Sequence, residues 1–280
     1  MREIDVKQIT QAVKKMFIDA NYHLGDDIKE CIGKCAACEK EELAKGIFES
    51  IEKNIEIAEE GIFPICQDTG MACVFMEIGQ EVHFTDGDLY GAINEGVRQG
   101  CLDGYLRQTI VQDPFDRVNT KDSTPADINV DIVPGDKVKI TVAPKGFGSE
   151  NMSQIKMLPP SAGVEGAEDF IVDVVKQAGG NPCPPIVVGV GIGGNFNKAA
   201  LMAKKALFRP VGEHNESSFY EDMEKRLLKK INALGIGPQG FGGETTAFAV
   251  NIISAPTHIA GMPVAVNINC HVSRHKEVIL

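Results

Sequence analysis

The sequence contains no long apolar run and no excess of positive charge. No window reaches the roughly 18 consecutive apolar residues that a membrane-spanning helix needs, and the first ten residues, MREIDVKQIT, show no secretory signal pattern. We therefore expect no membrane association and a cytoplasmic location. The 28 Lys and Arg against 39 Asp and Glu give a net charge of −11, which argues against binding a nucleic acid backbone. Small molecules and other proteins are the expected partners.

Internal repeats, low-complexity tracts and a clear linker are also absent. With 280 residues, of which 43% are hydrophobic, the chain can bury a sizeable core. From Asp26 to Glu60 apolar residues recur at helical spacing between Lys and Glu, which is typical of amphipathic helices. We expect residues 1–280 to form a single domain, or two closely interleaved lobes, with a helical amino-terminal region at residues 1–60.

After Gly61 the pattern changes to apolar strands and glycine-rich turns. ACVFMEIG and VHFT look like a hairpin, and DINVDIVPGDKVKITVAPKG like two strands around a turn. DLYGAINEGVRQGCLDGYLR, residues 165–178, NFNKAALMAKKALF and residues 217–234 are predicted helices, and PPIVVGVGIGG is a buried-type strand. The apolar runs TTAFAVNIISAP and MPVAVNINC follow. The predicted fold class is α+β, with mixed β-sheets flanked by helices.

A glycine motif in this strand raises the hypothesis of nucleotide binding. Gly189 to Gly194 satisfy G-x-G-x-x-G between a predicted strand and a helix, as in a dinucleotide site. No second strand ending in an acidic residue follows about twenty residues later, so a tight strand-to-helix turn with exposed amides is the favoured interpretation. Two more glycine-rich turns, GSENMS and GIGPQGFGGETT, offer further amides for a carboxylate or phosphate.

Disulfides are rare in a reducing compartment, so the eight cysteines are interpreted as core residues, metal ligands or redox sites. Cys31, Cys35 and Cys38, in CIGKCAAC, fall at i, i+4 and i+7 of a predicted helix, where a thiol behaves as a small apolar group. No fourth thiol follows closely to complete a cluster motif, so packing is favoured over metal ligation. Cys73 in a strand and Cys101 in a helix are also predicted core residues.

Three further cysteines each stand at the end of an apolar segment: Cys66 in PICQDTG, Cys183 in NPCPP and Cys270 in NINCHVSRH. Neighbouring prolines restrain the backbone around the first two. Three thiolates from separate loops would suit a metal or cluster with one open coordination position. Residue type alone favours three buried, unreactive cysteines, and both interpretations stay open at this point.

Several polar residues are candidates for acid–base or binding roles. His258 lies in an apolar context, which fits a satisfied core histidine and an acid–base group equally well. His271 and His275 would form a metal pair on a helix, although a solvated terminal turn is favoured. A charged loop either is solvated or uses arginine to bind a carboxylate. Its charged residues are Arg107, Asp113, Arg117, Lys121 and Asp122.

Taken together, the longer motifs resemble a known family. They are PICQDTG, GYLR…DP…RVNT.D.TPA, VAPKGFGSENMS, NPCPPIVVGVGIGGNFNKAALMAKKAL, GIGPQGFGGETTA and APTHIAGMPVAVNINCHVSRH. In order and spacing, from about residue 40 to 275, they are similar to the alpha subunits of class I (iron–sulfur) fumarate hydratases. That family includes the alpha subunits of two-chain fumarases and of L-tartrate dehydratase.

The resemblance implies a cofactor. It assigns a [4Fe–4S] cluster to Cys66, Cys183 and Cys270, with one iron left open to act as a Lewis acid on the substrate. CIGKCAAC precedes the first motif and corresponds to no ligand of the family. By this resemblance, the clustered cysteines at residues 31–38 are not the metal centre.

The resemblance also implies roles for residues around the cluster. Gln67, Arg107 and Gly148 correspond to substrate contacts of the family. Asp68 and His258 correspond to residues that line the site and are implicated in proton handling. An arginine and backbone amides are suitable groups for binding a small dicarboxylate.

The implied activity is that of a hydro-lyase alpha subunit hydrating fumarate to (S)-malate, a reaction of the tricarboxylic acid cycle. The alternative is an L-tartrate dehydratase or mesaconate hydratase alpha subunit. Single-chain relatives continue into a second domain, whereas this sequence ends at Leu280. The resemblance therefore implies a separate beta subunit and a dimer of alpha–beta heterodimers. A nucleotide-binding redox protein and a noncatalytic subunit are the competing hypotheses.

Overall fold

The structure, a computed structural model, describes all residues from Met1 to Leu280. In chain order the elements are β1 (Arg2–Asp5), α1 (Val6–Tyr22), α2 (Asp26–Cys38), α3 (Glu42–Glu59), β2 (Met71–Gly79), β3 (Val82–Thr85), α4 (Leu89–Asp103), β4 (Asp127–Val133), β5 (Val138–Lys145), α5 (Phe147–Glu150), β6 (Gln154–Leu158), α6 (Gly163–Ala178), β7 (Ile186–Gly194), α7 (Phe196–Ala206), α8 (Ser218–Asn232), β8 (Ala247–Thr257), β9 (Met262–Asn269) and β10 (Lys276–Ile279). The predicted α+β class with mixed sheets is confirmed. No helix has the length and apolar character needed to cross a bilayer.

The chain divides into two compact units, each made of separate stretches of sequence. Unit 1 comprises Met1–Gly25, Asn54–Phe147 and Arg274–Leu280, and unit 2 comprises Asp26–Lys53 and Gly148–Ser273. The single domain spanning residues 1–280 stays a prediction. The helical amino-terminal region is confirmed by α1, α2 and α3, except that the chain begins with a short strand.

Unit 1 is built on a four-stranded sheet with the order β10-β5-β2-β4. Helix α1 begins at Asp5, whose carboxylate accepts a hydrogen bond from the Lys7 N–H at 2.8 Å, as expected of an N-cap. Helices α1 and α4 pack closely, because Gly96 lies where a Cβ atom would be 2.7 Å from the Thr10 carbonyl oxygen. Buried residues of both helices and of the sheet, such as Phe17, form one apolar core.

The predicted hairpin of β2 with β3 is wrong. Strand β2 pairs in parallel with β4 and antiparallel with β5, whereas β3 pairs in parallel with β1. Nearly every residue of β2 is buried, so this strand needs partners on both of its edges. The turn after β2 is bonded to the end of β4 and the turn that follows it, since Gln80 and Glu81 donate their N–H groups to the carbonyls of Val133 and Gly135.

Unit 2 contains a second four-stranded sheet, in the order β6-β9-β7-β8. Its central strand β7 runs parallel to β8 and antiparallel to β9. Val188 and Val190 of β7 belong to the apolar core with α6 and α8. The alternating Gly189 and Gly191 face α7, because side chains of a strand point to opposite faces in turn.

These glycines correct the interpretation of the G-x-G-x-x-G motif. Gly189 and Gly191 lie inside β7 and not in a strand-to-helix turn. A Cβ atom on either would be 2.1 Å from a backbone oxygen of α7, that of Ala203 or Ala199. The motif therefore allows a helix to pack directly on a strand, and the nucleotide hypothesis loses the loop on which it depended.

Candidate functional site

The loop that carries Cys66, Gln67 and Asp68 joins α3 to β2 in unit 1. The Asp68 N–H donates to the Cys66 sulfur at 3.4 Å. The two Asp68 carboxylate oxygens accept hydrogen bonds from the N–H groups of Gly70, at 3.1 Å, and of Phe147, at 2.9 Å. Its carbonyl accepts from the Arg274 guanidinium at 2.6 Å. Both the carboxylate and the loop are therefore held in one orientation.

Thr69, which is 2% exposed, joins this loop to the segment that carries Arg107. Its hydroxyl accepts from the Arg107 N–H at 3.0 Å and donates to the Arg107 carbonyl at 3.2 Å. The Ser123 hydroxyl donates to the same carbonyl at 3.1 Å, and the Thr109 hydroxyl donates to the Gly70 carbonyl at 3.1 Å. These bonds fix the backbone from which the Arg107 side chain extends.

A cavity of about 770 Å³ opens beside these two segments. The polar and aromatic residues that line it include Gln67, Asp68, Arg107, Thr109, Arg117, Asn119 and Phe147. Its volume lies within the usual range for small-molecule pockets. Two guanidinium groups, three side-chain amides and a carboxylate thus line one cavity, a set suited to a small polyhydroxylated or dicarboxylic acid.

The loop that contains Arg117 is ordered by hydrogen bonds between the Asp113 side chain and the loop's own backbone. Asp113 accepts hydrogen bonds from the N–H groups of Phe115, at 2.8 Å, and Asp116, at 2.9 Å, which lowers the pKa of its carboxyl. Arg117 and Lys121 have positive φ angles of 55° and 69°. Such angles are uncommon outside glycine and concentrate at functional sites. Arg107 and Arg117 are both exposed, so the solvated interpretation of this charged loop and the carboxylate-binding interpretation both stay open.

Cys183 and Cys270 lie at the same end of the two central strands of the sheet in unit 2. Strands β7 and β9 are antiparallel, with Val187 opposite Asn269, so the start of β7 and the end of β9 are neighbours. Cys183 precedes β7 and Cys270 directly follows β9. The His271 N–H donates to the Cys183 carbonyl at 3.2 Å, which connects the two cysteine segments.

Cys183 itself is exposed and has a φ angle of 54°. The next residue, Pro184, accepts hydrogen bonds from the main-chain and side-chain nitrogens of Gln239, at 2.7 and 2.8 Å. The glycine-rich turn that contains Gln239 therefore braces the cysteine loop. A Cβ atom on Gly240 would be 2.7 Å from the Gly180 Cα atom, so glycine is required where the two loops meet.

Two predictions for the end of the chain are wrong. The segment from His271 to His275 is not helical, so the histidines do not form the i, i+4 pair of a helical metal site. The segment is not a solvated turn either, since Arg274 is 4% exposed and bonded to the Asp68 carbonyl. The Nδ1 atom of His271 instead lies 3.1 Å from the Cys183 carbonyl oxygen.

Gly148 and His258 lie elsewhere in unit 2. Gly148 is in the short helix α5, where an added Cβ atom would be 3.9 Å from the carbonyl oxygen of Asn181, two residues before Cys183. His258 is exposed beyond the end of β8, and its Nδ1 accepts a hydrogen bond from the Ala260 N–H at 3.2 Å. The interpretation as a buried core histidine is therefore wrong.

The cysteines differ in burial, and none is in a disulfide. Cys73 and Cys101 are buried, as predicted. Cys31 and Cys35 are half-buried and Cys38 is exposed, because other residues of α2 face the core. No group of three or more His, Cys, Asp or Glu side chains is arranged to hold a metal ion. The cluster ligands thus stay a prediction that depends on the chemistry of the thiols.

Sequence reasoning missed the residues that organise the cavity. Thr69 and Asn119 lie within the motifs CQDTG and RVNT, so their motif membership was the available signal. Phe147 lies within the motif VAPKGFGSENMS, whereas Thr109 stands outside the family motifs and no sequence pattern indicated it.

Comparison with known proteins identifies the family. The sequence model described as fumarate hydratase (Fumerase) matches residues 10–279. The chain belongs to this family. A protein of Methanocaldococcus jannaschii named putative L(+)-tartrate dehydratase subunit alpha is 40% identical over 273 residues, which cover 95% of each chain. L(+)-tartrate dehydratase subunit alpha of Escherichia coli O157:H7 is 31% identical over 279 residues, 98% of this chain and 91% of that protein.

L(+)-tartrate dehydratase subunit alpha of Escherichia coli K12 is 30% identical over 279 residues, 98% of this chain and 91% of that protein. Fumarate hydratases and tartrate dehydratases both add or remove water, so this is a family of hydro-lyases. The resemblance inferred from the motifs is thereby confirmed at the level of the family.

Proposed function

We propose that this chain is the alpha subunit of an iron–sulfur hydro-lyase that removes water from L(+)-tartrate. The observation that carries the proposal is the name shared by relatives that match nearly the whole chain. The family resemblance of the motifs predicts fumarate as the substrate, with L-tartrate or mesaconate as the alternative. Fumarate hydration is not confirmed, and the names of the relatives fit the alternative better.

The cavity of unit 1 supports a hydroxylated dicarboxylic acid as substrate. Arg107 is proposed to pair with one carboxylate, since a guanidinium matches the two oxygens of that group. Arg117 lines the same cavity and offers a second cationic group. The amide of Gln67 both donates and accepts hydrogen bonds, so it suits a substrate hydroxyl. A site with such groups discriminates against analogues without the hydroxyls, because its polar atoms would be left unpaired.

Cys66, Cys183 and Cys270 are proposed to hold a [4Fe–4S] cluster with one open iron. Soft thiolate sulfur is the donor that such clusters require, and each of these thiols lies in a loop and outside any disulfide. The hydrogen bond from the Asp68 N–H to the Cys66 sulfur is of the kind that tunes a cluster ligand. When bound, the cluster would supply a Lewis acid for the substrate oxygen.

The proton-transfer roles are assigned to Asp68 and His258. Asp68 lines the cavity beside Gln67 and Arg107. The N–H groups of Gly70 and Phe147 hold its carboxylate in one orientation. A positioned carboxylate of this kind can accept or return a substrate proton. The exposed ring of His258 has its Nδ1 engaged by the Ala260 N–H, so its Nε2 atom is the one proposed to exchange a proton. Gly148 is proposed as a backbone contact to the substrate.

A separate beta subunit is proposed to complete the enzyme, because the relatives are named subunit alpha. The proposed assembly is a dimer of alpha–beta heterodimers. Further active-site groups are proposed to come from the beta subunit.

The test is a substrate comparison on the assembled enzyme, made without oxygen. Co-purified alpha and beta subunits are expected to contain about four irons per alpha chain. The expected order of kcat/KM is L(+)-tartrate first, with fumarate and mesaconate lower. A higher kcat/KM for fumarate would favour the fumarate interpretation. An absence of hydro-lyase activity with iron bound would overturn both the fumarate and the tartrate interpretations.

Two variants give the assay a matched pair. Asp68→Asn keeps the shape of the side chain but not its basicity, so kcat is expected to fall about 10²- to 10⁴-fold. Cys38→Ser changes an exposed thiol assigned to neither cluster nor substrate, so kcat should be unchanged. Full activity of Asp68→Asn would refute its proton-transfer role.

A further inference from the structure

Cys31 and Cys35 form a close pair of thiols on helix α2. They lie one helical turn apart, their sulfur atoms are 4.0 Å from each other, and both side chains are half-buried with access to solvent. Neither is assigned to the substrate or to the cluster. The pair therefore needs its own explanation.

The helix disfavours a disulfide between these two residues. Residues at i and i+4 of a helix have Cβ atoms about 5–6 Å apart, whereas a disulfide brings them to about 3.5–4.5 Å. Oxidation would require α2 to unwind locally. In the intact helix, the two neighbouring sulfurs therefore stay unbonded to each other.

A metal ion fits this spacing better than a disulfide does. Two sulfurs bound to one tetrahedral Zn²⁺, each at about 2.3 Å, lie about 3.8 Å apart. The Cys31 and Cys35 sulfurs, at 4.0 Å, need to move only about 0.2 Å to reach that separation. A regular helix can accommodate this movement by side-chain rotation alone.

The surroundings prepare one of the two sulfurs for ligation. Hydrogen bonding from Cys31 lowers the pKa of the Cys35 thiol, and a second hydrogen bond, with Thr245, acts in the same direction against the effect of burial. The hydrogen bond with Cys35 and then burial raise the pKa of the Cys31 thiol. The negative charge of Glu39 acts on Cys35 and also favours a cation there.

We propose that Cys31 and Cys35 form a bidentate thiolate site for a thiophilic d¹⁰ metal ion such as Zn²⁺. Soft thiolate ligands select ions of this class. Binding forms two metal–sulfur bonds and releases the thiol protons of Cys31 and Cys35 to solvent, with no change of oxidation state. The chain supplies two ligands, so water or a small thiol completes the coordination and the ion is exchangeable.

Cys38 is a matched control on the same helix. It is separated from Cys31 by seven residues, a rise of about 10.5 Å along the helix axis. Two sulfurs bound to one Zn²⁺ cannot be more than about 4.6 Å apart, twice the Zn–S distance. Cys38 therefore cannot share an ion with Cys31, and Cys31, Cys35 and Cys38 do not form a three-ligand group that could hold a metal ion, although Cys38 is the more exposed thiol.

The experiment measures the alkylation rate of each cysteine in the full chain, reduced and stripped of metal, with and without Zn²⁺. Peptide mass spectrometry resolves the sites, so zinc bound by other cysteines does not confuse the result. At free Zn²⁺ of about ten times Kd, alkylation of Cys31 and Cys35 is expected to slow about tenfold, because only the unliganded fraction reacts. The rate at Cys38 should stay the same.

Single replacements complete the test. Cys35→Ser is expected to abolish the protection of Cys31 by Zn²⁺, whereas Cys38→Ser should leave it intact, with circular dichroism confirming that each variant folds. Equal alkylation rates with and without Zn²⁺ would overturn the proposal, as would a Cys31–Cys35 disulfide formed readily on mild oxidation. Should Cys35→Ser not fold, the measurement on the unaltered chain decides alone. No readout depends on enzymatic activity, so the result is independent of the proposed function.

Discussion

Replacing Thr69 by valine tests whether the threonine hydroxyl positions Arg107. Valine has nearly the same shape, so the change removes two hydrogen bonds, at 3.0 and 3.2 Å, without opening a cavity. The Arg107 carbonyl keeps the Ser123 hydroxyl as a donor, at 3.1 Å. The Arg107 N–H loses its acceptor, and an unmet group of this kind costs about 1–2 kcal/mol of unfolding free energy.

Thr69→Ser is the matched control. Serine keeps the hydroxyl and loses one buried methyl group, which costs about 1 kcal/mol. Urea unfolding should therefore show similar losses of stability in the two variants. A difference in activity between them then reports the hydrogen bonds and not a general loosening of the fold.

The assay is kcat/KM of the assembled enzyme with its best dicarboxylic acid substrate. A binding group displaced by about 1 Å can lower turnover by as much as 10²-fold. We expect Thr69→Val to lose about tenfold to 10²-fold in kcat/KM and Thr69→Ser to stay within about threefold of the original. Equal kcat/KM values for the two variants would refute a positioning role for this hydroxyl.

Two further predictions concern unit 2. Gly191→Ala is expected to lower the free energy of unfolding in urea by about 1–3 kcal/mol, because its Cβ atom would be 2.1 Å from the Ala199 carbonyl oxygen. The control is Gly46→Ala, on an exposed helical surface with no atom within 4 Å, which should raise the free energy of unfolding by about 0.8–1 kcal/mol. An unchanged unfolding midpoint of Gly191→Ala would contradict the packing role. Burial raises the pKa of Glu168, but hydrogen bonds from Lys230 and Arg226 outweigh it and leave the pKa below its usual value. Its contribution to stability is therefore present above the unfolded pKa of about 4.3 and is lost as pH falls through the lower folded value. Glu168→Gln should lower the free energy of unfolding by about 1–3 kcal/mol at pH 7. This is less than the loss of a fully buried ion pair, because Arg226 and Lys230 are about half exposed. A loss that does not shrink on acidification below pH 4 would refute the assignment.

The helices were predictable because their signal is local. Apolar residues repeat along one face of α3, α6 and α8, and the amphipathic pattern needs no knowledge of the packing partner. The longer motifs taken together likewise indicated the family, which the match over residues 10–279 confirms.

The partners of strands were not predictable in the same way. The apolar runs of β2 and β3 indicated strands, but adjacency in sequence suggested a hairpin that the structure does not contain. Which strand lies beside β2 depends on residues more than fifty positions away, because β4 and β5 cover its two edges. The glycines of β7 show the same limit, since only the approach of α7 explains them.

For the candidate site, the sequence by itself determined the kinds of groups available: thiols in three loops, Gln67 and Asp68 side by side, and an arginine in a charged loop. Only the tertiary structure decided that Asp68 and Arg107 line one cavity and that Thr69 joins the segments that carry them. It likewise buried Arg274 against a backbone carbonyl. The reason is that residue types and local periodicity are properties of neighbouring positions, whereas the contacts that orient a side chain come from segments distant in the chain.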